Sequence, residues 1–148
     1  MELPKRKKLR LPDYDYSENG AYFITICTKN KAKILCSIQA PENEAEAPKI
    51  HLTPLGTIIE TAMQNIPGME TYVVMPNHVH MIILNRDHTD ISAKVRLFKS
   101  VVARKTGMKI WQTSFYDHVI RDESDFQIKW KYIDDNPAKW ASDEYYGI

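Results

Sequence analysis

The order of hydrophobic and polar positions predicts four β-strands in the first part of the chain. Residues 20–28, 33–37, 69–75 and 78–84 are rich in aromatic and β-branched side chains, and polar residues or prolines separate them. The polar link 29–32 would allow the second strand to pair back with the first. Apart from two histidines, residues 78–84 are apolar on both faces, which predicts a central strand that is covered on both sides or closely packed.

Apolar residues at helical spacing predict three helices. The first lies within residues 53–66 and has a threonine N-cap followed by proline, and the second lies within residues 91–106 and precedes a glycine. The third begins near Asp122 or Ser124 and must stop before Pro137, because a residue before proline avoids the helical region. With a further strand before the third helix, this order predicts an α+β domain with an antiparallel sheet and helices mainly on one face.

The composition is typical of one globular domain. The chain has 148 residues, of which 43% are hydrophobic and 26% charged, so wholesale disorder is excluded. No apolar run approaches the ~18 residues of a membrane span, and no contact with a membrane is expected. Cys27 and Cys36 lack any metal-ligand spacing and predict reduced thiols in a cytoplasmic protein. A single domain is therefore expected over residues 1–148, with residues 1–19 as a basic N-terminal arm.

The formal net charge is only +1, but the charges are unevenly distributed along the chain. Two basic blocks, residues 4–10 and 91–110, contain no acidic residue, whereas an acidic loop is expected at residues 40–48. Basic blocks on a nearly neutral protein favour local binding to a polyanion, of which nucleic acid is the most plausible. The candidates for contacts with phosphates are Lys94, Arg96, Lys99 and Arg104 on the predicted second helix.

Two pairs of residues could carry chemistry. His78 and His80 are two residues apart on a predicted strand, so both imidazoles leave the same face, about 7 Å apart, and can close on one metal ion. Tyr132 and Asn136 are four residues apart on the predicted third helix and share a face. The residues alone leave simpler explanations open: satisfied or exposed histidines, a half-buried Tyr132 ring, and Asn136 as the cap of the helix before Pro137.

Together these residues would form a site for phosphoryl transfer. Two histidine nitrogens and the carbonyl oxygen of Asn136 would bind a divalent cation, and mixed nitrogen and oxygen ligands favour Mg²⁺ or Mn²⁺ over zinc. Such an ion polarises a phosphoryl oxygen. Tyr132 would then be the nucleophile, once nearby cations or the metal help to remove its proton.

Several segments of the chain resemble the HUH single-tyrosine transposases, in the same order and over about residues 20–140. Val73-Val-Met-Pro-Asn-His-Val-His-Met-Ile-Ile resembles the His-hydrophobic-His motif of that family. The segments that are similar to its REP-associated tyrosine transposase branch are Tyr22-Phe-Ile-Thr-Ile-Cys-Thr, Leu52-Thr-Pro-Leu-Gly, Trp111-Gln-Thr-Ser-Phe-Tyr-Asp-His-Val-Ile-Arg-Asp and Tyr132-Ile-Asp-Asp-Asn-Pro.

The resemblance implies a role for each matching residue. His78, His80 and Asn136 would be the metal ligands, and Tyr132 would attack a phosphodiester of single-stranded DNA beside a hairpin. The expected intermediate is a 5′-phosphotyrosine, from which the reverse transfer rejoins strands without an external energy source. The resemblance also implies a ferredoxin-like or RNA-recognition-like sheet with the histidines on a central strand and the tyrosine on the last helix.

Two other functions remain open from the sequence. A non-catalytic, domesticated nucleic-acid-binding protein on the same fold would bind DNA without a metal and without a covalent product. A metal-dependent hydrolase would use activated water and would not need the hydroxyl of Tyr132. The sequence also leaves open whether the protein acts as a monomer or as a homodimer.

Overall fold

The structure, a computed structural model, describes residues 20–43 and 45–142, so the predicted basic arm at residues 1–19 lies outside the described residues. The described part of the chain forms six strands and three α-helices. In chain order they are β1 (Gly20–Cys27), β2 (Cys36–Gln39), β3 (Lys49–Leu52), α1 (Pro54–Gln64), β4 (Met69–Val74), β5 (His78–Asn85), α2 (Ile91–Thr106), β6 (Tyr116–Ile120) and α3 (Glu123–Ser142). None of these described helices is long and apolar enough to cross a membrane.

Four strands form an antiparallel sheet in the order β4-β5-β1-β6. Without the small β2-β3 hairpin, the chain order is β-α-β-β-α-β, which is the ferredoxin-like arrangement, followed by α3. The predicted α+β class is therefore confirmed. The strand with the two histidines, β5, is an inner strand, as its apolar sequence predicted.

Each face of the sheet has its own cluster of buried side chains, because side chains alternate along a strand. Tyr22 and Ile24 of β1 pack on one face with the apolar sides of α1 and α2. Phe23 of β1 and Ile82 of β5 pack on the other face with Ile133 of α3. The helices thus lie mainly on one face, and α3 alone among the described helices covers the face that carries the histidines.

The segment at residues 33–37 does not pair with β1, so that part of the prediction is wrong. Its second half becomes β2, which pairs with β3, a strand that the sequence analysis missed. The physical reason is that β5 and β6 already occupy both edges of β1, so β1 offers no free backbone groups to a third partner. Residues 40–43 and 45–48, the described part of the predicted acidic loop, have no regular structure.

The last helix does not stop before Pro137 but continues to Ser142, so its predicted end is also wrong. A proline inside a helix lacks the N–H that would donate to the carbonyl of Ile133, at a cost of about 3 kcal/mol. Side chains beyond the proline offset part of this cost, through one contact with β5 and one within α3. Lys139 and Trp140 lie against aromatic rings on α3 and β5.

The start of α1 is held tightly against the segment before β2. Thr53 caps the helix by accepting a hydrogen bond from the N–H of Gly56, and a Cβ atom on Gly56 would overlap the backbone carbonyl oxygen of Leu35. Because backbone cannot move aside as a flexible side chain does, we expect Gly56→Ala to lower the free energy of unfolding by about 2–3 kcal/mol. Thermal unfolding should show a melting temperature lower by about 5–10 °C.

Gly107→Ala is the matched control for this prediction. Gly107 ends α2 in the left-handed region, with φ of 68°, but nothing lies within 4 Å of its added Cβ. Alanine loses only glycine's freedom to adopt a positive φ there, so we expect the free energy of unfolding to fall by about 1 kcal/mol. If Gly56→Ala melts no lower than Gly107→Ala, the close approach of α1 to Leu35 is refuted.

Candidate active site

The two histidines meet on the face of the sheet that α3 covers. In the register of β5 with β1, His80 is opposite Thr25 and His78 is opposite Cys27. The two imidazole rings have centroids 4.6 Å apart with an angle of 72° between their planes. The predicted placement of both rings on one face therefore holds, and the rings lie closer together than the spacing along an ideal strand would put them.

Each imidazole is held by a hydrogen bond at Nδ1, which leaves Nε2 as the remaining ring nitrogen. Nδ1 of His80 is 2.8 Å from the hydroxyl of Thr25, and Nδ1 of His78 is 2.7 Å from the side-chain oxygen of Asn77. Nε2 of His80 is buried and has no hydrogen bond of regular geometry. A buried polar atom without a well-formed hydrogen bond is costly, so this nitrogen is suited to a ligand.

Burial governs the ionisation of both imidazoles. It lowers the pKa of His78 to about 4, and it lowers the pKa of His80 well below the usual value, with a further lowering by the adjacent His78. Both rings are therefore neutral at pH 7, which is the form that coordinates a metal ion.

Asn136 faces the histidines from α3 and is fully buried. Its side-chain nitrogen donates to the backbone carbonyl of Tyr132 at 2.8 Å. Hydrogen bonding to Asn136 raises the pKa of both imidazoles, against the larger effect of burial. Of the side-chain atoms of Asn136, the carbonyl oxygen is the one with lone pairs that can coordinate a metal ion. Asn136 is not the cap of a helix, because α3 continues past it.

Tyr132 lies one helical turn before Asn136 and beside the histidines. Its ring centroid is 5.3 Å from that of His80, with an angle of 72° between the planes. The buried ring of Phe23 supports both groups, since it stacks on His80 at 5.4 Å and meets the edge of Tyr132 at 5.9 Å. The structure thus brings together all four residues that the sequence analysis placed in one site.

Lysines that the sequence analysis did not assign surround the site. The ammonium of Lys139 is 5.0 Å from the centre of the Tyr132 ring, and that of Lys33 is 5.5 Å from the centre of the Trp140 ring. The charge of Lys31 lowers the pKa of His78. Lys139 is seven residues after Tyr132, a spacing that places both on one helix face. The sequence analysis missed it because it ended the helix before Pro137.

The donor atoms fit a small divalent cation better than a closed structural metal site. The described residues contain no group of three histidine, cysteine or carboxylate side chains that could hold a metal ion. The available set is two neutral imidazoles and one amide oxygen, which leaves positions open for substrate oxygens or water. Mixed nitrogen and oxygen ligands of this kind are compatible with Mg²⁺ or Mn²⁺.

The four predicted phosphate-binding residues are not at this site, because α2 packs on the opposite face of the sheet. Lys94 is only 7% exposed, and its ammonium lies 3.2 Å from a carboxylate oxygen of Asp87. Arg96 and Arg104 are exposed, and the ammonium of Lys99 donates to the carbonyl of Gln112 at 2.9 Å. Their contact with phosphates stays a prediction.

Comparisons with known proteins agree with this fold. No protein-family model matches the chain. The chain is 32% identical over 174 residues to an uncharacterized protein of Haemophilus influenzae, and the match covers 95% of this chain and 93% of that protein. It is 28% identical over 126 residues to the REP-associated tyrosine transposase of Escherichia coli, covering 84% of this chain and 70% of that protein.

A solved structure shows the same fold. It is the structure of a REP-associated tyrosine transposase bound to a REP hairpin, with a TM-score of 0.67 and 24% sequence identity over 91% of this chain and 76% of that chain. In sequence and in fold, this chain is similar to REP-associated tyrosine transposases.

Proposed function

We propose that the protein is a metal-dependent DNA strand transferase in which Tyr132 is the nucleophile. The observation that carries this proposal is the convergence of Tyr132 with His78, His80 and Asn136 on one face of the sheet. A protein that only binds DNA has no need for a phenol beside two neutral, buried imidazoles. The transposase relatives support the same general role.

The proposed reaction is a transesterification. The hydroxyl oxygen of Tyr132 attacks the phosphorus of a phosphodiester, and the bond from phosphorus to the 3′ oxygen breaks. The phenol loses its proton and the leaving 3′ oxygen gains one, so the products are a 5′-phosphotyrosine and a free 3′-hydroxyl. Bond formation balances bond breakage, and the reverse step therefore rejoins strands without another source of energy.

The protein holds its reacting groups in place before the substrate arrives. His78, His80 and Asn136 would hold a divalent cation, either Mg²⁺ or Mn²⁺, which supplies stabilisation for the charge that develops on the phosphoryl oxygens. The Phe23 ring fixes the imidazole of His80 relative to the Tyr132 ring. This rigidity reduces the entropy lost in reaching the reacting geometry.

The proposed substrate is single-stranded DNA beside a hairpin. The support is that the solved relative with the same fold is bound to a REP hairpin. The lysines around the site give independent support, because Lys33 and Lys139 lie at its edge, where a polyanionic strand would enter. The phosphodiester at the foot of such a hairpin would be the bond that reacts.

The test is to incubate the protein with single-stranded DNA that carries the imperfect hairpin flanking its own gene, in the presence of Mg²⁺ or Mn²⁺. We expect a DNA-linked protein band that survives denaturation, because the phosphotyrosine bond is covalent. Addition of a chelator should remove the band, and readdition of Mn²⁺ should restore it. DNA binding without any such band, with the hairpin and the metal present, would contradict the proposal.

A further inference from the structure

A groove of about 780 Å³ lies between α2 and the loop at residues 107–113. We call it the α2 groove. Its cationic lining comes from Arg96, Lys99 and Lys109, and Met108 adds an apolar surface that is 48% exposed. Among the described residues that line it, none carries a carboxylate. A groove of this charge is suited to a polyanion, and its apolar wall is suited to unpaired bases.

The α2 groove opens at the same end of the sheet as the candidate active site. The N–H of Lys29 donates to the carbonyl of Ile110 at 2.7 Å, and the N–H of Gln112 donates to the carbonyl of Cys27 at 2.9 Å. Cys27 is in turn opposite His78 in the sheet. The wall of the groove is therefore two strand spacings, roughly 10 Å, from the backbone of β5.

Exposed lysines occupy the space between the groove and the site. Lys29 and Lys31 are exposed at the two ends of a short 3-10 turn that directly follows β1. The charge of Lys31 acts on His78, and Lys33 lies over the Trp140 ring at the edge of the site. Cationic side chains thus continue from the α2 groove over the end of the sheet to the candidate active site.

We propose that this cationic path binds the phosphodiester backbone of the single-stranded DNA that continues from the site, with the α2 groove as its far end. The inference rests on the proposed function, since it assumes that DNA is the substrate at Tyr132. It assigns phosphate contacts to Arg96, Lys99 and Lys109. Contacts to phosphates position a nucleic acid and carry no sequence information. This surface therefore sets affinity and leaves the choice of cleavage site to other contacts.

The structure divides the basic residues of positions 91–110 into those that line the groove and those that do not. Lys109 was not among the four candidates from the sequence, because it follows the glycine that ends α2. Lys94 does not line the groove, and its ammonium lies against Asp87 and the carbonyl of Pro67 instead. Arg104 is exposed on α2 but does not line the groove.

The experiment compares the double variant Arg96→Glu/Lys109→Glu with the single variant Arg104→Glu. Binding of a fluorescently labelled hairpin oligonucleotide with a single-stranded flank is measured by anisotropy, with a chelator present and at several salt concentrations. Loss of two phosphate contacts should weaken binding about 25-fold at 0.1 M salt and reduce the salt slope by about 1.4. Arg104→Glu should change affinity by no more than about twofold, and thermal melts check that all variants are folded.

Two results would overturn the proposal: unchanged binding by the double variant, or equal weakening by Arg104→Glu, which would mean a diffuse effect of charge. Failure of this inference is distinguishable from failure of the proposed function. If the unmodified chain forms the covalent band while the double variant binds normally, the groove is wrong and strand transfer stands. If binding depends on the groove but no covalent band forms, strand transfer is wrong and the groove stands.

Discussion

Replacement of Tyr132 by phenylalanine is expected to abolish the covalent product between protein and DNA. The variant keeps the ring that packs edge-on against His80 and Phe23, and it removes only the attacking oxygen. Loss of a nucleophile lowers turnover by a factor on the order of 10⁴ or more. Denaturing electrophoresis of a labelled hairpin oligonucleotide, incubated with the protein and Mn²⁺, should show no shifted band, while binding to the same DNA stays within about twofold.

Tyr72→Phe is the control for loss of a tyrosine hydroxyl elsewhere. Tyr72 lies on β4 and its side chain packs with the cluster on the opposite face of the sheet, where its hydroxyl bonds to Gln64 at 2.8 Å. This variant should form the covalent band as the unmodified protein does. If Tyr132→Phe still cleaves DNA, the nucleophile is water and the protein is a metal-dependent hydrolase. If the unmodified protein and both variants bind the hairpin but none of them cleaves it, a non-catalytic binding protein is the better account.

His80→Ala is expected to remove most of the affinity for a divalent cation. The change deletes the buried Nε2 atom that has no regular hydrogen bond within the protein. Loss of groups that merely orient metal ligands weakens metal binding 10–100-fold, so loss of a ligand should raise the Kd for Mn²⁺ by about 100-fold or more. Calorimetric titration measures this directly, and the rise in melting temperature that Mn²⁺ causes should disappear with it.

His51→Ala controls for the loss of a histidine. His51 is exposed on β3 and bonds to Gln39, away from the site, so its removal should leave the Kd for Mn²⁺ unchanged. His80 is buried, and its truncation leaves a cavity that lowers stability. His78→Ala, at the more exposed of the two rings, is therefore the second variant. Binding of Mn²⁺ with native affinity by either histidine variant would show that the ion is held elsewhere.

The sequence predicted the sheet and its helices well where a local pattern coincided with the tertiary environment. The apolar run around His78 and His80 predicted an inner strand, and β5 is one because α1, α2 and α3 together cover both its faces. The threonine and proline at the start of α1 and the glycine after α2 predicted those helix ends because capping is a local interaction.

The failures occur where tertiary contacts override local preference. The proximity of residues 33–37 to β1 in the chain favoured pairing with β1. In the structure, β5 and β6, which are distant in sequence, occupy the two edges of β1, and β2 pairs with β3. Pro137 predicted a helix end on sound local grounds, yet α3 continues past it to Trp140, which contacts His78 on β5. The lysines around the site escaped prediction for the same reason, since they come from separate elements that only the fold brings together.

The sequence by itself determined the chemistry that is available to this protein. The spacing of His78 and His80 on a strand, and of Tyr132 and Asn136 on a helix, follows from the two backbone periods and needs no tertiary information. Only the tertiary structure decided that the strand and the helix face each other, that burial keeps both imidazoles neutral, and that Asn136 lies beside them. The reason is physical: periodicity sets the direction of a side chain within its own element, whereas burial and approach depend on which elements pack together.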